Sequence, residues 1–339
     1  MTEKQYGGNT GREAKKMKIW QKTDKLKTAS NERTDNKMTT KENKKQTNRE
    51  KIILAGKIAS QVKSYAKTFI KKDMPLLEIA EKIEAKIIEL GGKPAFPVNL
   101  SINNISAHYT PSYDDKTLAH GLLKVDFGVH IDGWTADNAF SLDLENNEEN
   151  KKLIKASEDA LNKAIETAKK MPQLNEIGKK ISETIESYKF SPIINLSGHS
   201  MEQYSLHSGT TIPNIDNKDT EKLKAGLYAI EPFTTNGSGK VREGKPSEIY
   251  ELKNDKNIRN PIAREVLELI TKEYNTLPFC SRWIVKKIGT KALFGLKQLE
   301  ENRNLHHYNQ LVEIAESKVS QAEETIFIDE KGEFIVTTL

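Results

Sequence analysis

Residues 122–142 read LLKVDFGVHIDGWTADNAFSL, and this stretch predicts a β-hairpin. Alternate residues of its first half are apolar, which is the period of a half-buried strand. Asp132-Gly133 then supplies a two-residue turn of the kind that connects paired strands. A turn at these two residues places Asp126 opposite Ala139. The alternating apolar residues are Leu123, Val125, Phe127, Val129 and Ile131.

The two aspartates of this hairpin, Asp126 and Asp137, share its polar face and are expected one diagonal step apart, about 7 Å. Two carboxylates on a buried face repel each other unless a cation lies between them. Charged residues are mostly found at the surface, so a solvated polar face is the alternative interpretation. The hairpin alone does not decide between a cation site and a solvated face.

The length of 339 residues allows one large domain or two ordinary ones. No run of 18 apolar residues is present, and the first residues contain no apolar signal-peptide core. We therefore expect a cytoplasmic protein that does not enter a membrane. Cys280 is the only cysteine, which excludes an intrachain disulfide and a cysteine-based zinc site.

The net charge of +5 is concentrated in the first part of the chain. Residues 1–50 contain 14 Lys or Arg and 7 Asp or Glu, whereas the remaining residues contain 39 basic and 41 acidic side chains. Residues 1–48 hold one Ile, one Leu and neither Val nor Phe, so we predict a disordered basic tail. Such a tail binds phosphate backbones at low salt, which makes ribosomal RNA a candidate partner, and a solvated tail without a defined partner is the alternative.

The remaining residues, 49–339, are predicted to form one domain of helices and strands. Helical patterns cover residues 49–71, 75–90, 150–170 and 175–188. Two histidines, His199 and His207, follow on a strand and its loops, and a strand that begins at Gly226 holds Glu231.

The order of helix, helix, histidine-bearing segment and carboxylate-bearing strand occurs twice in this domain. His108 and His207 are 99 residues apart, and Asp126 and Glu231 are 105 residues apart. A duplicated unit predicts two halves packed about a pseudo-twofold axis, with equivalent residues meeting at that axis. We therefore expect Asp126 to face Glu231, and His108 to face His207.

Two further segments complete the predicted domain. Residues 254–301 change to a purely helical pattern, which predicts a helical subdomain inserted before the last strands. The chain then closes with a second hairpin, which is predicted to turn at Lys331-Gly332 and to hold Glu323 in its first strand.

Four carboxylates and one imidazole form the candidate site. Such a donor set favours hard or borderline divalent metals, namely Mn, Fe, Co or Zn. Carboxylates can bridge, so the set suits two ions about 3.5–4 Å apart that share a water and activate it for attack on an amide. A single histidine is more often structural, so the prediction depends on the whole set. Its members are Asp126, Asp137, His199, Glu231 and Glu323.

The chain from residue 49 to its end resembles the type II methionine aminopeptidases, and among them the short archaeal forms. The matching motifs are GGKPAFPVNLSINNISAHYTP, VDFGVHIDGWTADNAF, INLSGHSMEQYSLHSG, YAIEPF and LPFCSRW. The resemblance implies the pita-bread fold, an α+β fold of two pseudo-twofold-related halves in which helices cover antiparallel sheet, with a helical insertion at 254–301. It also implies a monomeric cytoplasmic enzyme, without membrane or DNA partners, that removes the initiator methionine from nascent polypeptides whose second residue is small.

The same resemblance implies roles for individual residues. The five residues of the candidate site would be the ligands of two divalent ions, and Glu231 would also relay a proton from the metal-bound water. His108 would contact the scissile amide, and His207 would lie near its carbonyl oxygen. The methionine pocket would be lined by Phe96, Leu206 and Tyr308.

Glu324 departs from the family motif, which has histidine directly after the last ligand, Glu323. Strand alternation is expected to send the Glu324 side chain to the face opposite Glu323. We therefore predict that Glu324 is not a metal ligand.

Two other functions remain open on the sequence alone. A proline-directed peptidase of the same fold, such as a prolidase or aminopeptidase P, shares a similar ligand set, although such enzymes carry a separate N-terminal domain and lack this helical insertion. A metal-free relative that binds RNA or the ribosome is the second alternative, because a fold does not by itself fix a function. The presence of all five ligands disfavours the metal-free relative.

Overall fold

The computed structural model describes residues 46–339. Most of the predicted basic tail, residues 1–45, lies outside the described residues. Thr47 caps the first helix, since its hydroxyl accepts from the backbone N–H of Glu50 at 3.2 Å and the Glu50 carboxylate accepts from the Thr47 N–H at 2.7 Å. The folded chain therefore includes residues 46–48, which the sequence assigned to the tail.

Seven helices are present in the described part of the chain. The first four begin and end within two residues of the predicted helical segments, and the last three fall between residues 254 and 301. The helices are α1 (Asn48–Phe69), α2 (Leu76–Glu89), α3 (Glu148–Ala168), α4 (Leu174–Ser187), α5 (Pro261–Glu273), α6 (Ser281–Ile288) and α7 (Ala292–Glu301).

The strands of residues 46–339 pair antiparallel throughout and form four sheets. In chain order they are β1 (Lys93–Pro94), β2 (Asn99–Ile102), β3 (Ile105–Ala107), β4 (Leu122–Ile131), β5 (Trp134–Asp143), β6 (Ser191–Pro192), β7 (Ser197–Met201), β8 (Thr211–Pro213), β9 (Gly226–Ile230), β10 (Phe233–Thr235), β11 (Val241–Leu252), β12 (Phe279–Cys280), β13 (Leu305–Glu313), β14 (Val319–Gln321), β15 (Glu324–Ile328) and β16 (Phe334–Val336). The first sheet has the order β1-β4-β2 with β5 also paired to β4, and the others have the orders β14-β10-β6, β12-β11-β13-β3 and β16-β15-β9-β7-β8.

The predicted hairpin of residues 122–142 is confirmed as β4 and β5. Asp126 pairs with Ala139, as the two-residue turn requires. The turn residues Asp132 and Gly133 have φ values of 56° and 83°, which is the left-handed conformation that a tight hairpin turn needs at both positions.

The prediction that β4 is only half-buried is wrong. Its apolar face packs under α1 and α2, but its other face is also covered, and Lys124 and His130 are 1% and 6% exposed there. The Lys124 ammonium donates to the backbone carbonyls of Asn103 and Val319 at 3.0 and 2.8 Å. Alternation in the sequence could not show that the polar face meets the second half of the molecule.

Two hydrophobic cores of similar construction lie on the two sides of the domain. The first is formed by α1 and α2 against the β4–β5 hairpin, with Val125 and Phe127 fully buried. The second is formed by α3 and α4 against β9 and β15, with Ile230 and Ile326 fully buried. Each half therefore buries two helices against its sheet, which is the arrangement expected from the duplicated pattern.

The two halves meet where β5 passes the segment that leads into β15. The backbone N–H of Glu323 donates to the carbonyl of Ala139 at 3.0 Å, in an isolated antiparallel bridge. This contact brings a residue of the chain's last hairpin beside the hairpin that carries Asp126 and Asp137.

Helices α5, α6 and α7 form a third core with the ends of β11 and β13. A buried ion pair joins this core to the first half, because Arg282 donates to both carboxylate oxygens of Glu84 at 2.7 and 2.8 Å. The indole N–H of Trp283 donates to the same carboxylate at 2.9 Å. Among the described helices, none combines the length and apolar character needed to cross a membrane.

Candidate metal centre

A cavity of about 410 Å³ lies between the two halves. No Lys or Arg is found among the described residues that line it. All ten residues that the sequence singled out contribute to its wall, namely Phe96, His108, Asp126, Asp137, His199, Leu206, His207, Glu231, Tyr308 and Glu323.

The β4–β5 hairpin supplies two of the carboxylates. Asp137 pairs with Gly128, two residues beyond Asp126 on β4, so the two aspartates are diagonal neighbours on one face. One oxygen of each, Oδ1 of Asp126 and Oδ1 of Asp137, is buried without a hydrogen-bond partner. A buried carboxylate oxygen without a donor is the expected condition of an oxygen that binds a cation.

The imidazole comes from the second half. His199 lies on β7, and its Nε2 atom is 3.7 Å from Oδ2 of Asp137 and 3.7 Å from Oε1 of Glu231. The ligand atoms of Asp137, His199 and Glu323 all lie within 4.8 Å of one another, and all three residues are buried. These three residues can hold one ion. Glu231 lies beside them, because its Oε1 atom is 3.7 Å from Nε2 of His199.

The sequence placed the last two carboxylates within strands, and both predictions are wrong by one residue. Glu231 follows the end of β9 at Ile230, because Pro232 has no N–H to continue the ladder. Glu323 precedes β15 and is held instead by its bridge to Ala139. Both side chains therefore come from strand ends, where the backbone leaves the sheet.

Gln321 is a buried neighbour of these carboxylates that sequence reasoning missed. Its Nε2 atom lies 3.4 Å from Oε2 of Glu231 and 3.5 Å from Oε2 of Glu323. The signal that could have found it is its position two residues before Glu323, on the same side of an extended segment. Gln321 is a neutral donor that links a carboxylate after β9 to one before β15.

The electrostatics of the cavity favour a bound cation. Burial raises the pKa of Asp126 to about 7. Burial, followed by repulsion from the other carboxylates, raises the pKa values of Asp137, Glu231 and Glu323 above their usual range. Four neighbouring carboxylates that disfavour each other's charge become compatible when divalent cations balance them. The buried donors, the unpartnered oxygens and a described lining without Lys or Arg all fit divalent metal ions.

The three histidines of the cavity are neutral near physiological pH. Burial lowers the pKa of His199 to about 3 and that of His108 to about 4, and it also lowers the pKa of His207. A neutral imidazole offers the lone pair that binds a metal or accepts a hydrogen bond. The ring centroids of His199 and His207 lie 4.3 Å apart, so these two histidines are in contact.

His108 is held in an uncommon backbone conformation. Its φ is 66°, in the left-handed region that non-glycine residues rarely adopt. Its Nδ1 atom donates to the backbone carbonyl of Asn309 at 3.0 Å, which leaves Nε2 as the acceptor of the neutral ring. Such local strain is found at sites where a side chain must be presented in one direction.

The apolar part of the cavity includes Phe96 and Leu206, and Tyr308 on β13 also lines the cavity. Gly128 allows Phe96 this position, since a Cβ at residue 128 would lie 2.4 Å from Cε1 of the Phe96 ring. The Tyr308 hydroxyl donates to the carboxylate of Glu251, and its ring packs edge-on against His108 with centroids 5.3 Å apart.

Further wall residues were not predicted from the sequence. Ile249 and Leu311 come from β11 and β13, whose pairing brings distant residues to the cavity. Pro278 lies in the quoted LPFCSRW motif, but its side chain has no group that would mark it as a site residue. Apolar residues of this kind are found in every core, so sequence periodicity alone does not single them out.

Glu324 points away from the cavity. Its Oε1 atom accepts from the Lys63 ammonium at 2.6 Å, and its Oε2 atom accepts from the Asn138 amide at 2.8 Å. Glu323 lies on the cavity side, and its neighbour Glu324 lies on the opposite side, against α1. This geometry agrees with the expectation that Glu324 is not a ligand.

The fold is that of a family of metal-dependent peptidases. Residues 50–259 match the model of metallopeptidase family M24. The chain belongs to this family.

The relatives of the chain point to one branch of the family. A methionine aminopeptidase from Methanocaldococcus jannaschii is 45% identical over 291 residues, which are 85% of this chain and 98% of the relative. The resemblance to archaeal methionine aminopeptidases is therefore confirmed.

Solved structures confirm the pita-bread fold. A thermophilic Arx1 superposes with a TM-score of 0.72 at 15% identity, over 85% of this chain and 89% of that one. A methionine aminopeptidase from Rickettsia prowazekii superposes with a TM-score of 0.61 at 21% identity, over 85% of this chain and 95% of that one. At these identities the two structures show the fold alone.

Proposed function

We propose that this chain is a methionyl aminopeptidase that removes the initiator methionine from nascent polypeptides with a small second residue, using two divalent metal ions. The observation that carries the proposal is the convergence of four carboxylates and a neutral imidazole, from both halves of the domain, on one cavity whose described lining holds no Lys or Arg. The methionine aminopeptidases among its relatives support the choice of substrate.

The proposed ligands are Asp126, Asp137, His199, Glu231 and Glu323. When bound, two divalent ions would supply Lewis acidity and lower the pKa of a water at the site. Manganese, iron, cobalt and zinc all suit a set of carboxylates with one imidazole. The unpartnered oxygens of Asp126 and Asp137 are the atoms that most need such an ion.

Proton transfer and substrate binding are assigned to side chains that line the cavity. The Glu231 carboxylate is proposed to accept the proton of the attacking water and to return it to the leaving amine. Because Nδ1 of His108 is engaged by Asn309, its Nε2 atom can accept the N–H of the scissile amide. His207 then donates toward the carbonyl oxygen, where negative charge develops. Phe96, Leu206 and Tyr308 are proposed to hold the methionine side chain.

The proposal is tested by methionine release from Met-Ala-Ser, Met-Leu-Ser and an X-Pro peptide. Metal-free protein is assayed alone and with Mn, Fe, Co or Zn added in turn. We expect no turnover without metal and turnover of Met-Ala-Ser well above Met-Leu-Ser with at least one metal. Preference for the X-Pro peptide would identify a proline-directed peptidase. No metal binding and no turnover with any metal would reject the proposal and favour a non-catalytic relative.

The proposed ligands are tested with a matched pair of variants. His199→Ala removes a donor from the metal group, whereas His120→Ala removes an exposed histidine that binds the carbonyl of Leu118. We expect His199→Ala to lose metal binding and turnover, and His120→Ala to retain both. Equal behaviour of the two variants would contradict the assignment of His199.

We also infer a cytoplasmic, monomeric enzyme without membrane or DNA partners, whose basic residues 1–48 contact ribosomal RNA. The full chain and a chain that begins at residue 46 can be compared for binding to ribosomal RNA over a range of salt. A steeper loss of affinity with salt for the full chain supports the proposal, because each released counterion adds to the slope. Equal slopes would contradict it.

A further inference from the structure

Two short segments lie side by side behind the cavity. The first, Asp137 to Ala139, is in β5, and the second, Glu323 to Thr325, leads into β15. The N–H of Glu323 donates to the Ala139 carbonyl at 3.0 Å, and the N–H of Asp137 donates to the Thr325 hydroxyl at 2.8 Å. The two proposed ligands, Asp137 and Glu323, face the cavity, and the middle residue of each segment faces away from it.

The middle residues, Asn138 and Glu324, bind each other. The Asn138 amide donates to Oε2 of Glu324 at 2.8 Å, and the Thr338 hydroxyl donates to the same oxygen. The other oxygen of Glu324 accepts from the Lys63 ammonium at 2.6 Å. Asn138 and Glu324 are 0% and 4% exposed, and the Lys63 side chain is 19% exposed. This is therefore a buried, hydrogen-bonded ion pair with a bridging amide.

The network joins both halves of the domain. Lys63 on α1 and Asn138 on the β4–β5 hairpin belong to the first half, and Glu324 opens β15 in the second half. Asn138 directly follows the proposed ligand Asp137 in the chain, and Glu324 directly follows the proposed ligand Glu323. A displacement of the backbone at Asn138 or Glu324 would therefore also displace the adjoining ligand, Asp137 or Glu323.

We propose that Lys63 and Glu324 form a positioning pair that sets the separation of the metal ligands Asp137 and Glu323 from behind. The proposal rests on the metal site of the proposed function. Groups that hold metal ligands from behind contribute to affinity, because the ligands are useful only in the right geometry. Glu324 stands where the family motif has histidine, and the Lys63 cation makes a buried carboxylate tolerable at this position.

A purely electrostatic role and a positioning role for Lys63 predict opposite changes in metal affinity. If the pair acted only through its charge, Lys63→Met would remove a cation near the site and tighten the binding of a divalent metal. If Lys63 positions Glu324, the same change releases Glu324 and weakens metal binding. The double variant Lys63→Met with Glu324→Gln removes one positive and one negative charge, so its net charge is unchanged.

The test is a calorimetric titration of metal-free protein with Mn²⁺ alone. The variants are Lys63→Met, Glu324→Gln, the double variant and the conservative Lys63→Arg. The matched control is Lys51→Met, because Lys51 also lies on α1 and pairs at 2.5 Å with Asp132 in the turn of the same hairpin, away from the ligands. The thermal midpoint of each metal-free variant is measured in parallel.

We expect the wild-type stoichiometry in every variant, with Mn²⁺ binding about 10- to 100-fold weaker for Lys63→Met and for the double variant. Lys63→Arg and Lys51→Met should stay within about threefold of wild type, since the first keeps the ion pair and the second lies elsewhere. If Lys63→Met does not fold, the double variant carries the test, because no charge is left buried without a partner.

Several outcomes would overturn the proposal. Tighter Mn²⁺ binding by Lys63→Met would show that charge dominates, and wild-type affinity in the double variant would show that the pair has no positioning role. An equal loss of Mn²⁺ affinity in Lys51→Met and Lys63→Met would show that the effect comes from a general loss of stability. A wild-type protein that binds no divalent metal would reject the proposed function itself, whereas wild-type binding with unaffected variants would reject only the positioning pair.

Discussion

The hydroxyl of Thr325 binds both backbone groups of Asp137, although 188 residues separate the two in the chain. It accepts from the Asp137 N–H at 2.8 Å and donates to the Asp137 carbonyl at 2.8 Å. Thr325 is fully buried, so water cannot replace these contacts. The backbone of one proposed ligand is thus fixed by a side chain two residues after another, Glu323.

Replacing Thr325 with Val removes this hydroxyl with little change in shape. The N–H of Asp137 then loses its partner, and we expect a loss of about 1–3 kcal/mol in the free energy of unfolding of the metal-free protein. Mn²⁺ affinity should fall as well, because Asp137 is no longer held. Denaturant unfolding and calorimetry measure the two effects. Thr68→Val serves as control, since the Thr68 hydroxyl is exposed and donates to the Tyr65 carbonyl within its own helix. An equal loss in both variants would contradict this interpretation.

Asp126→Asn is expected to stabilise the metal-free protein more strongly at pH 8 than at pH 5. The folded-state pKa of Asp126 is raised to about 7 from 3.8, so protonation favours folding, and that stability is lost as pH rises from about 4 through 7. The amide of the variant carries no charge at any pH and avoids this loss. We expect a difference on the order of a few kcal/mol between the two pH values.

Urea unfolding of wild type and Asp126→Asn, both stripped of metal, measures this difference. Comparison at each pH cancels the contributions of the histidines, which titrate in both proteins. With Mn²⁺ present at pH 8, wild type should become more stable than Asp126→Asn, because wild type gains binding energy that the variant lacks. A difference that does not change with pH would show that Asp126 ionises normally in the folded state.

His108→Ala should lower kcat/KM by about 10²–10³-fold and leave Mn²⁺ affinity unchanged, since His108 is proposed to contact the substrate and not the metal. The pKa of His108 is lowered to about 4, so the ring is neutral throughout the assay range. The ratio of wild-type to variant kcat/KM should therefore be constant from about pH 6 to pH 9. A ratio that grows toward acid pH would indicate a cationic role for His108.

Gly128→Ala should damage the proposed methionine pocket and replaces none of the proposed ligands. The new methyl group would lie 2.4 Å from the Phe96 ring and displace it, so we expect KM for Met-Ala-Ser to rise about tenfold. Phe96→Leu in the same chain makes room for the methyl group. The rise in KM of the double variant should therefore be smaller than the two single effects combined. Strictly additive effects on KM, expressed as free energies, would show that residue 128 does not act through Phe96.

Glu324→His introduces the residue of the family motif. Because Glu324 faces Lys63 and not the cavity, we expect the metal stoichiometry to remain that of wild type. The affinity should fall, since histidine cannot hold both Lys63 and Asn138. Metal analysis of the purified variant reports the stoichiometry. An additional bound ion would show that residue 324 reaches the metal site.

The sequence itself determined the local elements. The Asp132-Gly133 turn and the alternation around Val125 and Phe127 fixed the hairpin and its register, because turn chemistry and side-chain period act over a few residues. Helical periodicity placed the first four helices to within two residues. The duplicated pattern singled out Asp126 and Glu231, and the resemblance to the type II methionine aminopeptidases implied the full set of candidate ligands.

Only the tertiary structure decided how these parts meet. The polar face of the hairpin is buried against the second half, which no local pattern indicates. Gln321, Glu251 and Lys63 acquire their roles through contacts with residues far away in the chain, at 90, 57 and 261 positions of separation. Such contacts depend on the packing of whole elements, and the energy that selects them is shared among many side chains. For that reason the chain's sequence specified which groups could bind a metal, and the fold alone specified what holds them in place.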